Sequence, residues 1–239
     1  MIRLEAARKR YATTAAVDGV SFEAADGLVT GLLGPNGAGK TTSLRMMSGM
    51  IRPDTGEVRV DGIDAIRETR QAQAHLGVLP DSPGLYARLT CREHIRYFGN
   101  LRGLRGPGLE RRIDRWIEEL DLGAIADRRV GGFSHGERTK VALAQALVHE
   151  PRNILLDEPT NGLDVMSTRA VRALVRRLKS QGRCVVFSSH VMQEVAALCD
   201  RIVVIASGRV VAQGAPSELL AITGTESVED AFMKLVDIQ

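Results

Sequence analysis

Long apolar runs are missing from this 239-residue chain. The longest, Asn153-Ile154-Leu155-Leu156 and Arg201-Ile202-Val203-Val204-Ile205-Ala206, are strand length. A membrane helix needs about 20 apolar residues, so the chain is not expected to span a bilayer. The opening MIRLEAARKR has no apolar signal-peptide core, and secretion is not expected either. Cysteine is scarce: Cys91, Cys184 and Cys199 are odd in number and far apart. They match neither a disulfide framework nor a zinc spacing and suit a reducing, cytosolic compartment. Aromatics make up only 4% of residues, and none interleaves with the basic clusters Arg111-Arg112-Arg115 and Arg172-Arg176-Arg177. Those clusters read as solvated helix faces, and nucleic acid is not an expected partner. The formal net charge is only +3.

What is present describes an ordinary globular chain, 44% apolar and 26% charged. Its length suits one large domain or a core with an inserted lobe. Short segments at Ile2-Leu4-Ala6, Ala16 to Ala24 and Leu28 to Leu33 read as strands, with turns at Asp18-Gly19 and Asp26-Gly27. A glycine-rich loop opens a helix from about Gly39 to Met50. Glu57 to Val60 with Asp61-Gly62 is a further strand and turn, a helix follows near Ile63 to Ala74, and His75 to Leu79 is a strand. Residues 83–150 carry helical patterns only, at Thr90 to Leu101, Leu109 to Leu120 and from Ser134 onward. Strand–helix alternation then resumes: Ile154 to Leu156, a helix from Val165 to Lys179, Cys184 to Ser188, and a helix from Met192 to Leu198. Ile202 to Ala206 and Val210 to Ala212 flank Ser207-Gly208 as a hairpin. This order predicts an α/β core.

The expected architecture is one domain over 1–239. Residues 1–82 and 151–215 would form an N-terminal antiparallel β subdomain with the α/β core. Residues 83–150 would be an inserted α-helical subdomain, and 216–239 a helical tail.

Gly34-Pro35-Asn36-Gly37-Ala38-Gly39-Lys40-Thr41 fits GxxxxGK[ST] between an apolar strand and a helix. Glycines let backbone amides turn inward around phosphate oxygens, the helix N-terminus adds positive potential, and Lys40 reaches the terminal phosphates. Thr41 would place its hydroxyl on Mg²⁺, and Thr42 completes the candidate nucleotide-binding set. Chance produces the four fixed positions in roughly 1% of chains this size, and the strand–loop–helix setting lowers that further. Ile154-Leu155-Leu156-Asp157-Glu158-Pro159 is the matching element, an apolar strand carrying two carboxylates at its C-terminal end, where α/β sheets place ligands. Asp157 would hold the metal and Glu158 would polarise the attacking water. His190 closes Ser188-Ser189-His190, on a strand expected beside that of Asp157. It can hydrogen-bond the γ-phosphate and the water. Phe133 to Lys140 begins a helix, with Ser134 as N-cap and Glu137 three residues on as its capping-box partner. A capped helix N-terminus is also an anion site.

With these residues in place, the chain resembles the ATP-binding subunit of an ABC transporter along nearly its whole length. Phe133-Ser134-His135-Gly136-Glu137 aligns with the family's signature, typically Leu-Ser-Gly-Gly-Gln. The resemblance implies that Ser134 and Gly136 contact the γ-phosphate held by Lys40 of a second subunit. It also implies that Tyr11 stacks on adenine and that Asn161-Gly162-Leu163-Asp164 crosses the dimer seam. Asp81 stands where the family has Gln, and is a candidate metal-site residue or a plain turn residue before Ser82-Pro83. His135 and Glu137 also depart from the pattern, and a carboxylate at Glu137 would repel a phosphate unless His135 or the helix dipole offsets it. GLYARLT (Gly84 to Thr90) and the LDEPTNGLDVMSTR run are most similar to export systems of the sodium type.

The resemblance implies ATP and Mg²⁺ as cofactors, a homodimer or paired ABC subunit with ATP between the copies, and a separate transmembrane permease. The chain would then sit on the cytoplasmic face of the membrane. The rival readings are a soluble ABC ATPase of DNA repair or translation and a P-loop kinase or GTPase. The first usually carries long coiled coils or tandem cassettes, and this chain has one phosphate loop and no heptad run. The second lacks its Asn/Thr-Lys-x-Asp guanine motif here and has no use for the signature or His190.

Overall fold

The computed structural model describes residues 1–237 and contains two sheets. The first has the order β2-β1-β4-β5, from β1 (Ile2–Tyr11), β2 (Thr14–Ala24), β4 (Thr55–Val60) and β5 (Ile63–Asp64), all antiparallel. The second has the order β10-β9-β3-β8-β7-β6. Its strands are β3 (Val29–Leu33), β6 (Leu76–Leu79), β7 (Asn153–Asp157), β8 (Cys184–Ser189), β9 (Arg201–Ala206) and β10 (Arg209–Gly214). Every pairing in it is parallel except the β9–β10 hairpin at one edge.

The apolar character of the central strands follows from covering on both faces. Leu32, Leu155, Val186, Val203 and Ile205 point one way, into a core shared with the antiparallel sheet and with Leu44, Met46 and Met47 of α1 (Lys40–Met47). Their neighbours Leu33, Ile154, Leu156, Val185, Phe187, Ile202 and Val204 point the other way. That second core is closed by α5 (His135–Leu147), α6 (Val165–Ser180), α7 (Met192–Leu198) and α9 (Val228–Asp237). It runs on into α3 (Cys91–Leu101) and α4 (Gly106–Glu119), so Ile95, Ile113 and Trp116 belong to it. The remaining helices are α2 (Thr69–Ala74) and α8 (Pro216–Thr223). All three thiols are buried, and burial pushes Cys184 and Cys199 up to about 12 and Cys91 to about 11, as inert core thiols behave.

Helix starts follow local chemistry. Thr90 caps α3 through a capping box with Glu93, and Pro107 stands in the first turn of α4, where its missing N–H costs nothing. Asp164 caps α6, its Oδ1 accepting from the amides of Met166 (2.8 Å) and Ser167 (2.9 Å).

Several expectations need correction. Asp18-Gly19 is not a turn: it lies inside β2 at a bulge, where the pairing to β1 slips between Ala7/Val20 and Arg8/Asp18. Gly19 supplies the φ of +78° that the bulge requires. Ile63 does not begin a helix. It pairs with Val60 across a tight turn at Asp61 (φ +50°) and Gly62 (φ +82°), and the helix begins only at Thr69. The helix from the glycine-rich loop ends at Met47 rather than Met50, with Gly49 at φ +68°. Two short 3-10 turns, Gly123–Ile125 and Val130–Gly132, break the run between α4 and α5. The expected tail contains α8 and α9, while Ile238 and Gln239 lie outside the described residues.

Parallel strands aim their C-terminal ends at one edge. Leu33 is level with Ser189, Ser188 with Asp157, and Leu156 with Leu79. The segments leaving these strands are therefore neighbours, and they carry Gly34 to Thr42, Asp81, Glu158 and His190.

Candidate nucleotide site

The loop Gly34 to Gly39 is pinned from two sides. A Cβ on Gly34 would meet the Ile205 carbonyl at 2.2 Å, and one on Gly39 would meet the Ala16 carbonyl at 2.4 Å. Gly39 also holds φ +105°, a conformation L side chains rarely adopt. Glycine at both places lets the loop pass between β9 and β2 and deliver the first amides of α1 to its concave side.

An open cavity of about 470 Å³ lies over this loop. Pro35, Asn36, Gly37, Ala38, Gly39, Lys40, Thr41 and Thr42 form its floor, and Tyr11, Ala16, Asp81, Glu158, Asn161 and His190 its walls. Tyr11, at the end of β1, is 45% exposed and lines the cavity, with Lys9 Nζ 5.9 Å from its ring centroid. Lys40 is buried, its Nζ donating to the carbonyls of Gly34 (2.7 Å) and Pro35 (3.3 Å). A phosphate oxygen would compete for the same protons.

Glu158 sits just past β7 with φ +49°, an uncommon conformation for a residue bearing a side chain. That backbone turns its carboxylate into the cavity. Oε1 lies 3.5 Å from Lys40 Nζ, and Oε2 lies 2.8 Å from His190 Nδ1. Asp157, one residue earlier, points back and is buried. Burial pushes its carboxyl above the usual range, offset by hydrogen bonds from Ser188 and Thr41 and reinforced by the negative charges of Asp81 and Glu158. Ser188 Oγ donates to Asp157 Oδ1 (2.7 Å) and accepts from the Glu158 amide (2.9 Å), so one hydroxyl orients both acids. Sequence reasoning assigned Ser188 no role. Its signal is a serine at the end of the otherwise apolar strand CVVFSS.

Thr41, which lines the cavity, and the buried Asp157 carboxylate behind it are neighbouring hard oxygen donors. No group of three or more His, Cys, Asp or Glu that could hold a metal occurs among the described residues. That donor set fits Mg²⁺, which takes one or two protein oxygens and completes its shell from phosphates and water. Asp81 is exposed and lines the cavity, near enough to raise the Asp157 carboxyl.

Ser134 and Gly136 are not brought to this cavity. Ser134 caps α5, its Oγ accepting from the Glu137 amide (3.3 Å) while Glu137 Oε2 accepts from the Ser134 amide (2.7 Å). The Glu137 charge is thus turned onto the helix's own first turn. His135 Nε2 donates to the Asn161 carbonyl at 2.9 Å. Gly136 packs on the α6 cap, where an added Cβ would lie 2.9 Å from Ser167 Oγ.

Comparison with known proteins matches this geometry. The family model described as "ABC transporter" covers residues 17–161. The ABC transporter ATP-binding protein NatA of Bacillus subtilis is 43% identical over 223 residues, covering 92% of this chain and 91% of that protein. The Nod factor export ATP-binding protein I of Paraburkholderia xenovorans is 39% identical, covering 92% and 72%. The daunorubicin resistance ATP-binding protein DrrA3 of Streptomyces coeruleorubidus is 38% identical, covering 95% and 72%. Among solved structures, an ATP-binding subunit of an ABC transporter superposes with a TM-score of 0.92 at 26% identity, covering 98% and 99%. The ATP-binding cassette MJ0796, in a dimeric post-hydrolysis state with ADP and Pi, superposes at 0.83 with 25% identity, covering 90% and 98%. No described helix is long and apolar enough to cross a membrane. The P-loop core, the acids at its edge and these matches lead to one conclusion: the chain belongs to the ABC transporter family, as an ATP-binding subunit that hydrolyses ATP to power a transporter.

Proposed function

We propose that two copies of the chain close on two ATP molecules and that hydrolysis reopens them to drive a separate transmembrane permease of an exporter. The observation carrying this is the Glu158 carboxylate, held between Lys40 and His190 at the mouth of the P-loop cavity. The signature residues Ser134 and Gly136 lie outside that cavity and serve the partner copy. The dimeric MJ0796 cassettes support the pairing. Sodium is the favoured cargo because the sequence resembles the sodium-export type. The chain would work on the cytoplasmic face of the membrane. Residues 1–82 with 151–215 would form the nucleotide-binding body, 83–150 the lobe that presents the signature, and 216–239 the tail.

In this reading the P-loop amides and Thr42 cradle the phosphates and Tyr11 stacks on adenine. Lys40 leaves its carbonyl partners for the β- and γ-phosphates. Glu158 orients and polarises the attacking water, and His190 holds the γ-phosphate and that water in line. Thr41 and Asp157 would hold Mg²⁺, with Asp81 beside them, and the ion would neutralise charge developing on the phosphates.

Sizing by light scattering tests the pairing. Glu158→Gln binds ATP, hydrolyses it slowly and becomes a dimer with Mg-ATP. Adding Ser134→Arg blocks the dimer while ATP still binds the monomer. A Glu158→Gln protein that stays monomeric at high concentration with ATP overturns the composite site.

A further inference from the structure

Glu194 is a buried carboxylate, 4% exposed, that the ATP chemistry does not use. It stands in the first turn of α7, four residues past His190. Its Oε2 accepts a hydrogen bond from the Thr160 hydroxyl, which is also buried and lies two residues past Glu158. Its Oε1 accepts from Arg172 Nη2 of α6 at 3.1 Å. Both carboxylate oxygens are thus engaged, which locks the side chain and gives its charge a partner.

The segments 158–160 and 190–194 are therefore joined twice. Glu158 Oε2 to His190 Nδ1 (2.8 Å) is the link at the cavity, and Thr160 to Glu194 is the link inside the protein. One hydrogen bond lets two loops pivot about it, whereas two fix their relative angle. The outer link also has a weak mooring, since the His190 side chain is 44% exposed. Glu158 itself holds the uncommon backbone of φ +49°. Such conformations persist only where the surroundings over-determine them. Pro159 and the Thr160–Glu194 bond supply that constraint immediately downstream.

We propose that Glu194, through Thr160, is a positioning residue that sets the distance and angle between Glu158 and His190. It is buried and is not among the residues lining the cavity. Its effect falls on the hydrolytic step and leaves nucleotide binding alone, because the P-loop and Tyr11 are attached to other elements. The inference rests on the reading that Glu158 and His190 act at the γ-phosphate.

The test is steady-state hydrolysis by the full chain, with melting temperature and affinity for a fluorescent ATP analogue measured alongside. Thr160→Val keeps the shape and removes the donor, so it tests the link even where Glu194→Ala fails to fold. We expect kcat to fall about tenfold, as a sub-ångström displacement of an acting group produces, with analogue affinity held within about twofold. Glu194→Gln, which keeps an acceptor, loses less than Glu194→Ala. In a His190→Ala background Thr160→Val costs less than it does in the wild type, because the Glu158–His190 spacing it sets is gone while the Glu158 backbone it supports remains. Full additivity in that background, or a Thr160→Val protein with wild-type kcat beside a slow His190→Ala, overturns this inference alone. A His190→Ala protein with wild-type kcat overturns the underlying reading as well.

Discussion

The Lys40 ammonium and the Glu158 carboxylate lie 3.5 Å apart across the mouth of the cavity, and the lysine also rests on the carbonyls of Gly34 and Pro35. Lysine therefore holds the floor and the acid together before it meets a phosphate. Lys40→Ala removes the main cation on the β- and γ-phosphates and leaves Glu158 facing only His190. Hydrolysis should fall by about 10²-fold or more. Near-normal turnover in a clean preparation contradicts the phosphate-loop assignment.

Asp81 is the second prediction, since it brings a charge where the family has a neutral amide. It lines the cavity and its charge reaches Asp157. Asp81→Ala should shift the magnesium concentration for half-maximal hydrolysis several-fold, and Asp81→Gln should retain much of the activity. Wild-type magnesium curves in both variants would reduce Asp81 to a turn residue.

His94 gives a dependence of stability on pH. It is fully buried, its Nε2 accepts the Tyr86 amide at 3.2 Å, and burial pushes its pKa from 6.5 down to about 4. A depressed pKa means that the unfolded chain binds the proton first. The stabilising contribution is therefore complete above about 6.5 and is lost as pH falls through about 4, by at most about 3 kcal/mol. His94→Gln keeps an acceptor for Tyr86 and does not titrate. Urea unfolding at several pH values should show a shallower loss of stability between 6.5 and 4 in the variant, and identical slopes would contradict the assignment.

The parts of the site legible in the sequence are those whose chemistry demands residues at fixed short spacing. Lys40 follows Gly34 by six positions because one turn of loop cradles phosphate, and Asp157-Glu158 announces itself by ending an apolar strand. The Ser134 cap is legible for the same reason, since both halves of its box lie within four residues. Relationships across the sheet are not legible that way. Ser188 serves both acids only because parallel register sets it level with Asp157. Thr160 meets Glu194 across 34 residues. The misread elements have a local cause: Asp-Gly offers the same positive φ to a bulge at Asp18-Gly19 and to a turn at Asp61-Gly62. Only pairing to β1 or β5 separates the two. Ile63 is β-branched and suits its pairing with Val60, and Asp64 is a weak helix former, so the helix starts only at Thr69.

Glu158 is proposed to activate the attacking water. Single-turnover hydrolysis with enzyme in excess over Mg-ATP measures that step without product release. Glu158→Gln is expected to bind ATP as tightly as the wild type and to cleave it at least about 10²-fold more slowly. A Glu158→Gln protein that completes its first turnover at the wild-type rate contradicts this role of Glu158, and the base must then be sought elsewhere.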